Sequence, residues 1–224
     1  MQADQLWAGG PSFIQRPPVF KIGTDSVRLA QFVNLARVRK AVDLGCGSGI
    51  LGVLLAKKSE HLTCDCIDIL PEAVLLTQEN AALNNVSAQI SAKCGDILHI
   101  RQMLPAGAYD LAVANPPYFP QDSGKRAIGE EIANAREESL CSLEDVCRAA
   151  SYLLRWGGRF ALVHRPQRLA ELMYTMHEHG IEPKRLQMVA KDAQSAPNLV
   201  LVEGQRGAKP GLVVLAPYLL EDES

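Results

Sequence analysis

The sequence predicts an α/β fold: one doubly wound, mostly parallel sheet of seven strands, helices on both faces, and an antiparallel hairpin at its C-terminal end. Three observations carry that expectation. Short apolar runs alternate with helix-period segments from residue 41 to residue 178, the order of a parallel sheet built from crossover units. A glycine-rich turn, Gly45-Cys46-Gly47-Ser48-Gly49, leaves the first of these runs and opens a helix. Beyond Glu178 the apolar runs follow one another with no helix between them. At 224 residues, 47% hydrophobic and 21% charged, the chain can fill the core of a single domain spanning 1–224.

Residues 1–23, rich in proline and glycine, read as an extended N-terminal arm. Thr24 and Asp25 are expected to cap a helix whose apolar face carries Val27, Ala30, Val33 and Leu35. Residues 41–44 form a short buried strand, and 48–57 the helix behind the glycine turn. The second strand is 62–68; Pro71, favourable in a first turn, opens a helix reaching Asn84. Strands follow at 88–93 and 110–114. The stretch 119–139 is polar, charged and longer than most connections inside a domain, which marks a substrate-side loop or disorder. Residues 143–155 are helical, Gly157-Gly158 is expected to stop that helix, and 159–163 is the fifth strand. A helix at 168–178 and strands at 184–190, 199–204 and 212–215 complete the chain.

The glycine turn is spaced Gly-x-Gly-x-Gly, because Ile50 stands where a dinucleotide fingerprint needs its third glycine. Glycines let a ligand approach the backbone closely. Asp43, just before the turn, repels a pyrophosphate and attracts a ligand carrying an ammonium and a sulfonium. Asp68, followed by Ile69, ends the second strand, where a carboxylate can accept hydrogen bonds from ribose hydroxyls. Asp96 follows the third strand and can accept one from an adenine amine while Ile97 packs on the ring. A strand-end aspartate alone more often caps a helix or a turn. Three at successive strand ends, on the edge where open parallel sheets bind ligands, point to one nucleoside-bearing cofactor.

Asn115-Pro116-Pro117-Tyr118 comes straight after the fourth strand. The prolines stiffen the turn and hold the Asn115 side chain in place. The Asn115 side-chain oxygen and the Pro116 carbonyl can take both hydrogens of an exocyclic amine, while Tyr118 and Phe119 stack on the base. Transfer of a methyl group to a planar nitrogen needs such a grip, which makes Asn115, Pro116, Pro117 and Tyr118 the candidate catalytic residues.

A net charge of −2 and a pI of about 6.2 argue against a protein that holds nucleic acid by bulk electrostatics. Two basic stretches, in the first forty residues and at 155–191, could still converge on one face. The six cysteines form no Cys-x-x-Cys pair and no zinc spacing, so they read as small buried hydrophobes and no metal is expected; Cys64 and Cys66 should face the same side of a strand. No apolar stretch reaches the roughly 18–20 residues needed to span a bilayer, and the N-terminus lacks the order of a signal peptide. A cytoplasmic monomer with no membrane partner is expected.

Together, the segment from Asp43 to Gly49, Asp68, Asp96, and the segment from Asn115 to Tyr118 resemble the class I S-adenosylmethionine-dependent methyltransferases. That resemblance implies a Rossmann-like fold, S-adenosyl-L-methionine as cofactor, and a cofactor site on Asp43, Gly45, Cys46, Gly47, Gly49, Asp68, Ile69, Asp96, Ile97 and Asn115. More narrowly, residues 20–25, 115–119, 135–138, 164–166 and 183–186 are similar to the bacterial tRNA (adenine-N6)-methyltransferases that modify the adenine next to the anticodon of a valine tRNA. This implies Lys21, Thr24 and Asp25 on the cofactor side and a tRNA substrate held by Tyr118, Phe119, Lys125, Arg126 and Arg165. The plain alternatives are a helix cap for Thr24 and Asp25, solvated charge for Lys125 and Arg126, and an ordinary strand-end role for His164.

A protein glutamine methyltransferase acting on a release factor would present the same planar nitrogen to Asn115, and DNA adenine or rRNA guanine methylation fits the same motif. The basic stretch at 155–191 favours RNA. A nicotinamide-binding oxidoreductase would use the glycine turn and Asp68, but Ile50, Asp43 and residues 115–118 oppose it. An intact Asn115 and intact glycines oppose a non-catalytic binding module.

Overall fold

The structure is a computed structural model that describes residues 3–16, 23–116 and 141–223. Lys21, Pro117, Tyr118, Phe119, Lys125, Arg126 and the 119–139 stretch lie outside the described residues. Strands β1 (Ala3–Gln5) and β2 (Ser12–Ile14) form an antiparallel hairpin ahead of α1 (Thr24–Phe32). Then come β3 (Lys40–Leu44), α2 (Ile50–Lys58), β4 (Thr63–Asp68), α3 (Pro71–Leu83), β5 (Ile90–Cys94), a 3-10 turn (Ile97–Gln102) and β6 (Tyr109–Ala114). The rest comprises α4 (Leu143–Leu153), β7 (Leu154–His164), α5 (Leu169–Glu178), β8 (Ile181–Ala190), β9 (Leu199–Arg206), β10 (Val213–Val214) and β11 (Tyr218–Leu219).

The sheet runs β10-β8-β9-β7-β6-β3-β4-β5, with β11 also on β8. Strands β3 to β7 are mutually parallel, and β9 is antiparallel to both its neighbours, β7 and β8. Strands β3 to β9 make the expected seven; the further strand expected at 212–215 is the two-residue β10, which with β11 pairs on β8. Side chains alternate across it: Ala41, Cys64, Leu111 and Val163 pack with α1 and α2, while Val42, Ile67, Ala112 and Leu162 pack with α4 and α5. Burial on both faces makes these strands continuous apolar runs in the sequence.

Local expectations fail in a few places, each for a physical reason. Gly157 and Gly158 do not end a helix; α4 stops at Leu153 and β7 begins at once. They lie in a register shift against β6, between the pairs Tyr109–Leu154 and Leu111–Arg159, where Gly157 has φ +78° and a Cβ on Gly158 would fall 3.0 Å from the Tyr109 carbonyl oxygen. Thr24 and Asp25 do not cap α1; Gly23 is the N-cap, with no side-chain hydrogen bond. Ser142 instead caps α4 reciprocally with Asp145, which the sequence reading missed. Cys94 is exposed and Cys141 half-buried, so these two are not core residues, whereas Cys64 and Cys66 share one side with their Sγ atoms 3.9 Å apart.

Residues 3–16 hold the β1–β2 hairpin, which is pinned to α3. Asn80 Oδ1 accepts from Ile14 N at 2.7 Å, and Asn84 Oδ1 from Ser12 N at 3.2 Å. At the far end of α1, Glu203 on β9, 3% exposed, accepts from Arg159 Nη1 at 3.3 Å and Arg185 Nη1 at 3.1 Å. Those guanidiniums donate onward to the carbonyls of Asn34 and Phe32, at 2.6 and 3.3 Å, where the helix leaves its carbonyls unsatisfied. Replacing Glu203 by Ala strands two partly buried cations beside each other, and we expect unfolding stability in urea to fall by about 3 kcal/mol. A loss below about 1 kcal/mol would show the trio to be screened by solvent.

Candidate active site

Strands β3 and β6 lie side by side at the centre of the sheet, and the chain winds outward from them in opposite directions. In open parallel sheets the crevice beyond the carboxyl ends of such strands receives the ligand. Leu44 pairs with Ala114, so Gly45 and Asn115 leave the sheet as neighbours, about 4.8 Å being the usual strand spacing. The glycine turn and the asparagine are thus brought together, as the sequence led one to expect.

Asp43 shares the α2 side of β3 with Ala41 and has no solvent exposure. Its Oδ2 accepts from Gly52 N at 3.3 Å, capping from the strand a helix whose own N-cap, Gly49, has no side chain to do so. Its Oδ1 is buried with no hydrogen-bond partner among the described residues. Burial pushes the Asp43 carboxyl up to about 7; the Gly52 N–H opposes that shift and the Asp68 charge adds to it. Asp68 accepts from Gly47 N at 2.8 Å through Oδ2 and from Leu70 N at 3.0 Å through Oδ1, tying the turn to β4 and the start of α3. Burial also raises its pKa. Each of its oxygens keeps further acceptor capacity for a ligand hydroxyl.

Gly45 has φ +77°, and a Cβ there would meet nothing within 4 Å, so the turn opens outward. Gly49, also at φ +77°, faces Thr77, whose side chain would lie 2.7 Å from an added Cβ. Cys46 turns inward, with Sγ 3.4 Å from Thr77 Oγ1, so it offers the crevice its backbone rather than its thiol. Asp96 Oδ1 accepts from Leu98 N at 2.8 Å and caps the 3-10 turn, the plain role for a strand-end aspartate. Ile97 beside it is half-buried, and Ile69 is exposed at the end of β4.

Ala114 faces α4, so Asn115 points toward α1, where its Nδ2 donates to Ser26 Oγ at 2.8 Å. Ser26 is 5% exposed and was not singled out from the sequence. Thr77 and Asn80 were missed as well, though they hold the turn by donating to the carbonyls of Gly47 (3.2 Å) and Ser48 (2.9 Å). Their signal was a polar stripe at helical spacing, Thr77, Asn80 and the C-cap Asn84, which the fold buries. Pro116 follows Asn115 and is half-buried. Thr24 and Asp25 bond each other at 3.4 Å, and Thr24 borders a cleft against the β1–β2 hairpin.

His164 ends β7 buried and neutral, its pKa drawn down to about 4 by burial and then by the Arg168 charge, with Nδ1 accepting from Arg165 N at 2.8 Å. Arg165 is exposed and reaches the Asn198 carbonyl at 3.0 Å, at the same end of the sheet. Several cations of the basic stretches are engaged by acids. Arg155 pairs with Asp110 and Arg168 with Glu171, both at 2.6 Å, while Arg159 and Arg185 turn inward to Glu203 and the end of α1. Unpaired guanidiniums are costly to bury, so cations that cross the sheet recruit the nearest acid and helix carbonyls. Among the described residues there is no cluster of metal-ligating side chains, and no helix is long and apolar enough to cross a membrane.

The Asp43 shift has a definite sign. A carboxyl near 7 in the folded state and near 3.8 in the unfolded chain stabilises the fold fully below pH 3.8, and that contribution is lost as pH rises toward 7. Asp43→Asn removes the dependence, so the stability of the variant relative to the native chain should climb between pH 4 and 7, by at most about 1.4 kcal/mol per pH unit, and then level off. Urea melts across that range measure it; a flat difference would mean Asp43 is ionised throughout.

The methyltransferase small domain family matches residues 13–179 of the chain. A tRNA1(Val) (adenine(37)-N6)-methyltransferase of Enterobacter sp. is 33% identical over 144 residues, 64% of this chain and 58% of that protein. One of the same name from Parabacteroides distasonis is 30% identical over 185 residues, 82% of this chain and 76% of its own length. The chain therefore spans a little over half of the first relative and about three quarters of the second. Among solved structures, a predicted O-methyltransferase of Agrobacterium tumefaciens superimposes with a TM-score of 0.70 at 22% identity, covering 88% of this chain and 87% of that one. Geranyl diphosphate C-methyltransferase of Streptomyces coelicolor, solved with S-adenosyl-L-homocysteine, gives 0.56 at 14%, covering 75% and 70%. These two likenesses speak to the fold; the family match, which takes in the crevice between β3 and β6 and both of its walls, places the chain in the methyltransferase small domain family.

Proposed function

We propose that this chain is a cytoplasmic, S-adenosylmethionine-dependent RNA methyltransferase that methylates the exocyclic N6 of an adenine in tRNA. The observation that carries the reading is the adjacency of Gly45 and Asn115 at the sheet's switch point. The relatives' names support the substrate class. A glutamine amide would present the same planar nitrogen to Asn115; the relatives' names favour the adenine reading over that alternative.

The cofactor fits the residues present. Asp43 Oδ1, buried and without a partner among the described residues, suits a cationic hydrogen-bond donor, and Asp68 and the Gly45–Gly47 backbone suit a ribose. S-adenosylmethionine supplies a methyl group made electrophilic by its sulfonium. Asp43, Gly45, Gly47, Asp68 and, across the edge, Ile69, Asp96 and Ile97 would hold it; Cys46 and Gly49 shape the turn. With Nδ2 engaged by Ser26, Asn115 offers the substrate amine its oxygen, and the Pro116 carbonyl takes the second hydrogen. Those two bonds favour the pyramidal nitrogen that develops as the bond to carbon forms. The amine proton leaves after transfer, so no strong base is required, and positioning can supply about 7–11 kcal/mol of the barrier reduction in favourable cases. Tyr118 and Phe119 stack on the base in this reading, with Lys125, Arg126 and Arg165 on its backbone and Lys21, Thr24 and Asp25 toward the cofactor.

Nucleoside mass spectrometry of unmodified tRNA incubated with the protein and S-adenosylmethionine should reveal N6-methyladenosine. Methylated glutamine in a release factor, with the RNA untouched, would overturn the substrate. Asn115→Ala should abolish transfer while weakening donor affinity by no more than about tenfold, since one lost hydrogen bond contributes about 0.5–1.5 kcal/mol. Ser26→Ala should lower kcat by roughly 3- to 10-fold with KM nearly unchanged, and Ser26→Thr should restore it. An unaltered kcat in Ser26→Ala would remove Ser26 from the positioning role.

A further inference from the structure

The cleft between the β1–β2 hairpin and α1 touches the site above through Thr24 alone, and its other lining residues have no role there. It measures about 490 Å³, within the range of small-ligand pockets. Leu6 and Trp7 form one wall, and Thr24, Val27, Arg28 and Gln31, a single stripe along α1, form the other. The Trp7 indole rests on the Gly10 backbone, where a Cβ would fall 2.5 Å from the ring, and the residue is still 46% exposed. Its ring is thus held by main chain while much of it stays accessible.

The opposite wall is polar and equally fixed. Arg28 is 8% exposed; its Nη1 donates to Gln31 Oε1 and to the Tyr218 hydroxyl, both at 2.8 Å, and its guanidinium lies 4.8 Å from the Tyr218 ring centroid. The nearby acids are Asp25 in the first turn of α1 and Asp4 on β1, the latter bonded by Gln15 Nε2 at 2.8 Å. A flat aromatic platform, aliphatic sides at Leu6 and Val27, and an edge of hydroxyl, amide and guanidinium groups match the shape and edge chemistry of a nucleobase. The cleft and the reaction site share α1: Ser26, which bonds Asn115, stands on the same turn as the cleft-lining Thr24 and Val27 but on another face of the helix.

We propose that this cleft is a second base subsite, in which an unstacked base of the RNA, neighbouring the one delivered to Asn115, stacks on Trp7. The inference rests on the RNA reading above. A base beside a flipped nucleotide has lost a stacking partner, and an aromatic side chain can replace it.

The chain has two tryptophans, and Trp156, exposed at the start of β7, has no role in the site. In Trp156→Phe the emission is Trp7's alone; a single-stranded RNA oligonucleotide with an adenine-containing loop should quench it, and free adenosine at the same concentration should not. Trp7→Leu should raise KM for that RNA roughly 5- to 100-fold, leaving kcat within about twofold and donor affinity unchanged, whereas Trp7→Phe, which keeps a ring, stays near the native value. RNA that is methylated while Trp7 emission ignores it, or an unchanged KM in Trp7→Leu, overturns the subsite and leaves the RNA reading standing. RNA that is never methylated overturns that reading itself, and quenching by a glutamine peptide but not by RNA overturns the base subsite.

Discussion

A carboxyl group sealed from water beneath a glycine turn is the constraint around which the rest of this molecule is arranged. Asp43 sits on the central strand with one oxygen spent on the backbone of α2 and the other lacking a partner among the described residues. Holding such a group costs free energy unless it is neutral or meets a cation. Yet the same group caps α2 and, through its nearness to Asp68, belongs to an acidic pair that shapes the turn from both sides. In the proposed reading, the donor's positive charge would be the cation that this carboxyl meets.

The second half of the site depends on α1 being held at both ends. Near its start Ser26 meets Asn115, and past its finish the carbonyls of Phe32 and Asn34 receive Arg185 and Arg159, which share Glu203. Those arginines stand on β7 and β8, so the helix that orients the asparagine is registered against the far strands of the sheet. Two cations of the basic stretch at 155–191, Arg159 and Arg185, thus brace that helix.

The central strands and the site-bearing turns were legible because their signals are local. Strands buried on both faces read as apolar runs, and Gly45 to Gly49 and Asn115-Pro116 announce themselves by composition. What the sequence hid depends on partners distant along the chain. Nothing near Ser26 tells that it will meet a residue 89 positions away, and the pairing of Arg159 and Arg185 with Glu203 needs the order of β7, β9 and β8. Gly157-Gly158 misled for the same reason: a helix stop and a shifted strand start want the same residue, and only the pairing with β6 decides between them. Asp96 shows the converse, a position whose local capping role is visible in the structure alongside the role its place at the sheet edge suggests.

Proton release on cofactor binding tests the central claim most directly. If Asp43 is largely protonated in the free protein, with a pKa near 7, and ionises against the donor's cation, calorimetric titration with S-adenosylmethionine at pH 6, in buffers of differing ionisation heat, should show close to one proton released per molecule bound. That release should vanish in Asp43→Asn. Binding with no proton exchange at pH 6, or with net uptake, would contradict a neutral acid waiting beneath the turn.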